Sequence, residues 1–121
     1  MLAECTESHK KIAMGLLSYI PDYKDIDRLT QLWNSYQDKD NRKLFLWKDE
    51  ETDNFVAIIG VELTEYTPVI RQLAVSPSFR SEGIAHLMLD EIQKKYHQDT
   101  LSATLELSQL LSHWEGKDSD D

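Results

Sequence analysis

The segment FVAIIGVEL, residues 55–63, sets the strongest limit on what this chain can fold into. It is apolar almost without interruption until Glu62, and it lies between the turn-forming stretches ETDN and TEYTP. A strand with one face in water alternates apolar and polar residues, whereas this one offers both faces to a core. It is therefore expected to run through the middle of a sheet with helices packed on either side.

The flanking sequence supplies those helices. From Lys10, the residues Ile12, Ala13, Leu16, Leu17 and Ile20 recur at helical spacing. Pro21 ends that helix, because the residue before a proline avoids the α region. A second helix is expected from about Asp22, with Ile26, Leu29, Leu32, Trp33 and Tyr36 as its buried stripe, closed by QDKDNR. KLFLWK, and VIRQLAV from Val69 to Val75, read as strands, with a weaker one in residues 1–6. After the SPS turn, Ile84, Leu87, Met88, Ile92 and Tyr96 mark a third helix. A short strand and a last helix carrying Leu107, Leu110, Leu111 and Trp114 complete the order β-α-α-β-β-β-α-β-α, an α/β fold with a mixed sheet. One domain over residues 1–116 and an acidic tail over 117–121 are expected from 121 residues without repeat or linker.

Composition excludes several functions. With a net charge of −9, the chain repels nucleic acid and anionic membranes, so neither is an expected partner. No apolar run approaches the roughly 20 residues needed to span a bilayer. The N-terminus meets charge too early for a signal peptide, and Cys5 is alone, so a cytoplasmic protein is expected. Four scattered histidines show no metal-ligand spacing, and no metal is expected.

The chemistry concentrates in PSFRSEGIA, between an apolar strand and an amphipathic helix. A helix start presents unpaired N–H groups and the positive end of the peptide dipoles, which can hold a phosphate on an otherwise acidic protein. Gly83 permits close approach, Ala85 keeps the next turn small, and Arg80 adds a charge-assisted contact. By spacing alone a second reading stands beside this one, in which Ser81 caps the helix and Gly83 is incidental.

The whole stretch VIRQLAVSPSFRSEGIAHLMLDEI resembles the acyl-coenzyme A binding core of the GNAT N-acetyltransferase superfamily: a strand, a Val-x-Pro turn, Arg/Gln-x-x-Gly-x-Gly/Ala and an amphipathic helix. More narrowly, KKIAMGLLSYIP, LFLWK and IIGVE are similar to small acetyltransferases of Gram-positive riboflavin operons. The resemblance implies that acetyl-CoA is the cosubstrate and that a small-molecule amine, connected with flavin metabolism, is the acceptor. It implies that backbone groups of Leu73, Ala74 and Val75 pair with the pantetheine arm. It also implies that Arg80, Ser81, Glu82, Gly83, Ile84, Ala85 and His86 surround the pyrophosphate. Glu82, an acid beside a diphosphate, is then expected to turn its side chain to solvent.

Acyl transfer in the superfamily often uses a helix tyrosine as proton donor. This chain has Leu111 at the position expected for it, and His113 nearby is the closest titratable residue. A non-catalytic acyl-CoA binding or regulatory module is therefore the alternative to an enzyme. Glu62, closing the central strand, is the candidate general base. Arg71, inside an apolar strand, is expected either to pair with an acid such as Glu62 or to be exposed at the acceptor cleft, with pairing favoured. Tyr66 and Trp47 are candidates for an acceptor pocket or for the core. Many superfamily members also have a terminal strand pair after the last helix, which this sequence lacks; an edge left uncovered would favour a homodimer.

Overall fold

A run with no polar face needs cover on both sides, and the computed structural model, which describes residues 1–119, provides it. Strands β1 (Leu2–Glu4), β2 (Arg42–Lys48), β3 (Phe55–Leu63), β4 (Pro68–Val75) and β5 (Ser102–Ala103) form one sheet in the order β1-β2-β3-β4-β5. The first three pairings are antiparallel and the last, β4 with β5, is parallel. Helices α1 (Lys10–Leu17) and α2 (Ile26–Asp38) cover one face, and α3 (Ile84–Lys95) and α4 (Ser108–Ser119) cover the other. The element order is the expected one.

The core accordingly lies in two layers. Ile58 of β3 meets Ala13, Leu16 and Leu17 of α1 and Leu29, Leu32 and Trp33 of α2, while Ile59 and Val61 meet Met88, Leu89 and Ile92 of α3. Burying each such side chain contributes roughly 1.5–3 kcal/mol. The Trp114 indole, in α4, donates to the Asp90 carboxylate at 2.8 Å and ties α4 to α3.

Local capping corrects the helix boundaries. The first helix stops at Leu17, short of Pro21, and the Ser18 hydroxyl donates to the Gly15 carbonyl at 2.6 Å. Residues Pro21–Tyr23 form a short 3₁₀ turn, and α2 begins only at Ile26, because the Asp25 side chain caps it by accepting from the Asp27 N–H at 2.9 Å. Ile26, expected in the buried stripe, sits in that first turn and is 64% exposed. Ile12 and Leu87 are exposed as well. Of the acidic tail expected at 117–121, residues 117–119 continue α4 and the remaining two lie outside the described residues.

Two irregularities shape the region beside β4. The strand has a bulge: Gly60 pairs with Gln72 and Val61 with Ile70, so Arg71 is an extra residue in the ladder. The pairing of β5 is also short. It joins β4 only at Val69 and Ile70, and the Thr104 N–H adds a last bond to the Ile70 carbonyl at 3.1 Å. Beyond that point β5 ends and the β4 edge is left open.

No helix among the described residues is long and apolar enough to cross a membrane, and no group of three or more His, Cys, Asp or Glu residues there is placed to hold a metal ion.

Candidate functional site

The open edge of β4 has a defined polarity. The Ser76 N–H bonds to the Val56 carbonyl at 2.8 Å, and antiparallel bonding alternates, so Ala74 and Gln72 spend their main-chain groups on β3. Leu73 and Val75 turn theirs to the open side. The Val75 carbonyl accepts from Arg80 Nε at 3.1 Å. Of the three residues expected to meet a pantetheine arm, Leu73 and Val75 thus present backbone to the cleft, and Ala74 does not. Its side chain is packed against the α1 and α2 layer.

At the end of β4 the chain turns through Pro77–Phe79 into α3. Gly83 is the N-cap, with φ 76°, and Ser81 has the same left-handed φ. The first main-chain bond of the helix runs from the Leu87 N–H to the Gly83 carbonyl at 3.1 Å. None of the amides from Ser81 to His86 has an acceptor among the described residues. Left-handed residues interspersed in a turn point successive N–H groups into one concavity, and the helix dipole adds positive potential there. Ser81 does not cap the helix with its side chain, so the capping reading of RSEGIA loses its main support.

A cavity of about 290 Å³ opens at this loop, lined by Val75, Phe79, Arg80, Ser81, Gly83, Ile84, Ala85, His86 and Leu110. It gathers most of the residues expected from the sequence. Glu82 is not among them. It lines a separate groove with Trp47, Asp49 and Leu87, so its charge is turned away from the amide cluster. The α4 side chain lining the cavity is Leu110; both it and Leu111 pack against the core. His113 is exposed and lines neither this cavity nor the one described next.

A second cavity, of about 170 Å³, lies farther back along the same edge and is lined by Ile20, Asp22, Tyr23, Arg71, Gln72, Leu73, Thr104, Glu106 and Leu107. Val75 borders the first cavity and Leu73 the second, a separation of roughly 7 Å along an extended strand. Sequence reasoning missed Asp22, Tyr23, Thr104 and Glu106. Asp22 and Tyr23 come from the α1–α2 turn, and Thr104 and Glu106 from the segment that leaves the β4 edge where β5 ends early. Tyr66 is 82% exposed on the β3–β4 turn and Trp47 packs against the core, so neither lines this cavity.

Glu62 is bound on both sides by guanidinium groups. Arg42 Nε lies 2.9 Å from one carboxylate oxygen and Arg71 Nη1 lies 3.4 Å from the other. The expected pairing with Arg71 is present, and Arg42 is a partner the sequence did not reveal. The Arg42 hydrogen bond, reinforced by the charges of Arg71, Arg42 and Lys39, holds the carboxyl below its ordinary range despite partial burial. A carboxylate so held is a weak proton acceptor, and Glu62 does not line the second cavity. The carboxylate expected as general base is thus engaged by two guanidinium groups and set apart from the cavity lining.

Comparison with known proteins gives a consistent picture. A family model described as acetyltransferase (GNAT) domain matches residues 21–111. An uncharacterized N-acetyltransferase of the lysA 3′ region in Bacillus methanolicus is 39% identical over 97 residues, covering 79% of each chain. Among solved structures, an aminoglycoside 6′-N-acetyltransferase of Acinetobacter baumannii superposes with a TM-score of 0.70 at 18% identity, covering 97% of this chain and 86% of the other. The aminoglycoside N-acetyltransferase AAC(6′)-Iy in complex with CoA gives 0.73 at 12% identity, covering 96% and 84%.

Proposed function

The chain belongs to the acetyltransferase (GNAT) domain family and is an acyltransferase; from that premise we propose that acetyl-CoA lies along the open edge of β4 and that a small amine reaches its thioester from the second cavity. The observation that carries this reading is the run of unpaired amides from Ser81 to His86, continuous with the open-edge backbone of Leu73 and the Val75 N–H, the Val75 carbonyl being held by Arg80. An anionic diphosphate satisfies the first group and an amide-bearing arm the second. The Nη groups of Arg80, whose Nε is held by the Val75 carbonyl, supply one positive charge beside the cluster.

The bound thioester supplies the acyl group. The neutral amine nitrogen bonds to the carbonyl carbon, the C–S bond breaks, and the sulfur leaves with the electron pair. The proton lost by nitrogen passes to solvent. Leu110 is the α4 residue that lines the first cavity, and Leu107, in the 3₁₀ turn just before α4, lines the second, so α4 offers the sulfur no acid. A thiol of ordinary pKa, near 8.5, departs as thiolate at little cost near neutral pH and takes its proton from water. The enzyme's contribution is then orientation of thioester and amine. A connection of the acceptor with flavin metabolism is supported only by the three sequence segments that resemble riboflavin-operon acetyltransferases.

Thermal melting tests the reading. Acetyl-CoA at a hundred times its dissociation constant stabilises the native state by about 2.7 kcal/mol and raises Tm by several degrees. Coenzyme A gives a comparable rise, and thiol is released when an accepted amine is added. In Gly83→Asp the melting rise disappears because a carboxylate now faces the diphosphate; an added Cβ meets nothing within 4 Å, though a side chain at φ 76° is strained by roughly 1–2 kcal/mol, a cost that Gly83→Asn shares without the charge. No rise with millimolar acetyl-CoA overturns the proposal. A rise without thiol release from any amine favours the regulatory module instead.

A further inference from the structure

An unbalanced set of charges reaches the second cavity through Arg71. Arg42, Glu62 and Arg71 together sum to one positive charge, because two guanidinium groups share a single carboxylate. Arg42 is well satisfied: besides Glu62 it donates to the Ser35 hydroxyl at 2.9 Å and lies 5.8 Å from the centre of the Tyr36 ring. Arg71 is not. Its one bond to Glu62 is long, at 3.4 Å, and its Nε is buried without any hydrogen-bond partner. The other buried side-chain polar atom without a partner among the described residues is Thr104 Oγ1. Both residues line the same cavity. A buried polar group left unpaired costs about 1–3 kcal/mol, and two around one cavity call for a ligand that pairs with them.

The same cavity also carries the other sign. Asp22 and Glu106, both exposed, line it, and neither forms an ion pair among the described residues. A cation on the β4 bulge therefore shares a space of about 170 Å³ with two carboxylates. That is below the roughly 300 Å³ at which drug-sized ligands are held, and suits a group of a few heavy atoms.

We propose that the acceptor is a small zwitterion, a primary amine that also bears a carboxylate, with the carboxylate bound by Arg71 and Thr104 and the amine drawn in by Asp22 and Glu106. This rests on the acyl-transfer reading above and names its substrate class. Arg71 is placed to do so by the β4 bulge, and Glu62 and Arg42 act on it as positioning residues. A guanidinium presents two parallel N–H donors to a carboxylate, which a lysine in its place cannot do. An acceptor without the acid leaves Arg71 unpaired and is discriminated against.

The test is steady-state thiol release at saturating acetyl-CoA with three matched sets: short amino acids, their carboxamides, and the amines made by removing the carboxylate. An O-phosphorylated amino alcohol separates carboxylate recognition from general anion binding. The expected result is a kcat/KM at least about tenfold higher for the carboxylate-bearing amines than for the other sets. In Arg71→Met that advantage disappears through a raised KM, while Arg71→Lys keeps part of it and the melting rise with acetyl-CoA persists in both. Thr104→Val, which leaves the charge in place, reduces the advantage without abolishing it. Equal or better use of the decarboxylated amines, preference for the phosphorylated one, or no turnover of any carboxylate-bearing amine overturns the inference on the unmodified enzyme alone. A normal melting rise alongside that result leaves the acetyl-CoA site standing, whereas loss of the rise removes the underlying reading.

Discussion

Gly60 lies in the middle of β3, where a residue without a side chain normally weakens a strand. The reason for it is Tyr36. This tyrosine descends from α2 over Gly60 and donates its hydroxyl to the Gln72 side-chain oxygen on β4. Gln72 is 7% exposed and is the buried polar residue of the described core, so that bond satisfies an amide that would otherwise be costly. A Cβ at position 60 would meet the tyrosine hydroxyl first and its Cζ at 2.6 Å. Gly60→Ala is expected to lose about 3 kcal/mol, from overpacking together with loss of the Tyr36–Gln72 bond. A shift of the urea midpoint at constant m-value measures it, and an unchanged midpoint shows that the ring moves aside freely. Burial and desolvation also raise the Tyr36 phenol far above its usual range, so it serves as a fixed donor and not as a proton carrier. Cys5 is similar in kind: burial raises its thiol to about 11, which leaves it a small packing residue at neutral pH.

At the scale of elements, Arg42, Glu62 and Arg71 form a row across β2, β3 and β4. Glu62 is held below its ordinary value in the folded state, so it binds fewer protons there than in the unfolded chain. Its contribution is present above the unfolded value of about 4.5 and is lost as pH falls through the folded one. Glu62→Gln is expected to cost about 1–2 kcal/mol at neutral pH, the side chains of the row being only partly buried. Its stability should converge with that of the unmodified chain as pH falls below about 4.5. Urea midpoints at neutral pH and well below about 4.5 decide it, and a gap that stays constant contradicts the pairing. The row also shows where sequence stops being legible. The two-faced run of β3 announced the layers, and the spacing in α3 announced Ile84, Met88 and Ile92, because periodicity records burial directly. The bulge at Arg71 and the early end of β5 leave no such trace. They are set by pairing between strands far apart in sequence, and they are what turns Arg71 and Thr104 toward one cavity.

The whole molecule sets a condition on its own ligand. With a net charge of −9, the chain repels a polyanion such as acetyl-CoA at long range. Attraction is confined to the amide cluster and Arg80, where the positive potential of a helix start decays within about one turn. Salt therefore acts on the two ranges unequally. At low ionic strength the Debye length is about 30 Å at 0.01 M, larger than the site, so the acidic surface opposes approach; near 0.15 M it shrinks to about 8 Å and that opposition is screened. The contacts inside the cradle are main-chain N–H groups at close range and lose less. The association rate of acetyl-CoA is accordingly expected to rise between those two salt concentrations, the reverse of a ligand steered by opposite charge. Stopped-flow mixing, followed by competition with a fluorescent coenzyme A analogue, measures it. A rate that falls with salt would mean that Arg80 and neighbouring cations dominate the field at the cleft mouth, and that the backbone cradle plays the lesser part in capture.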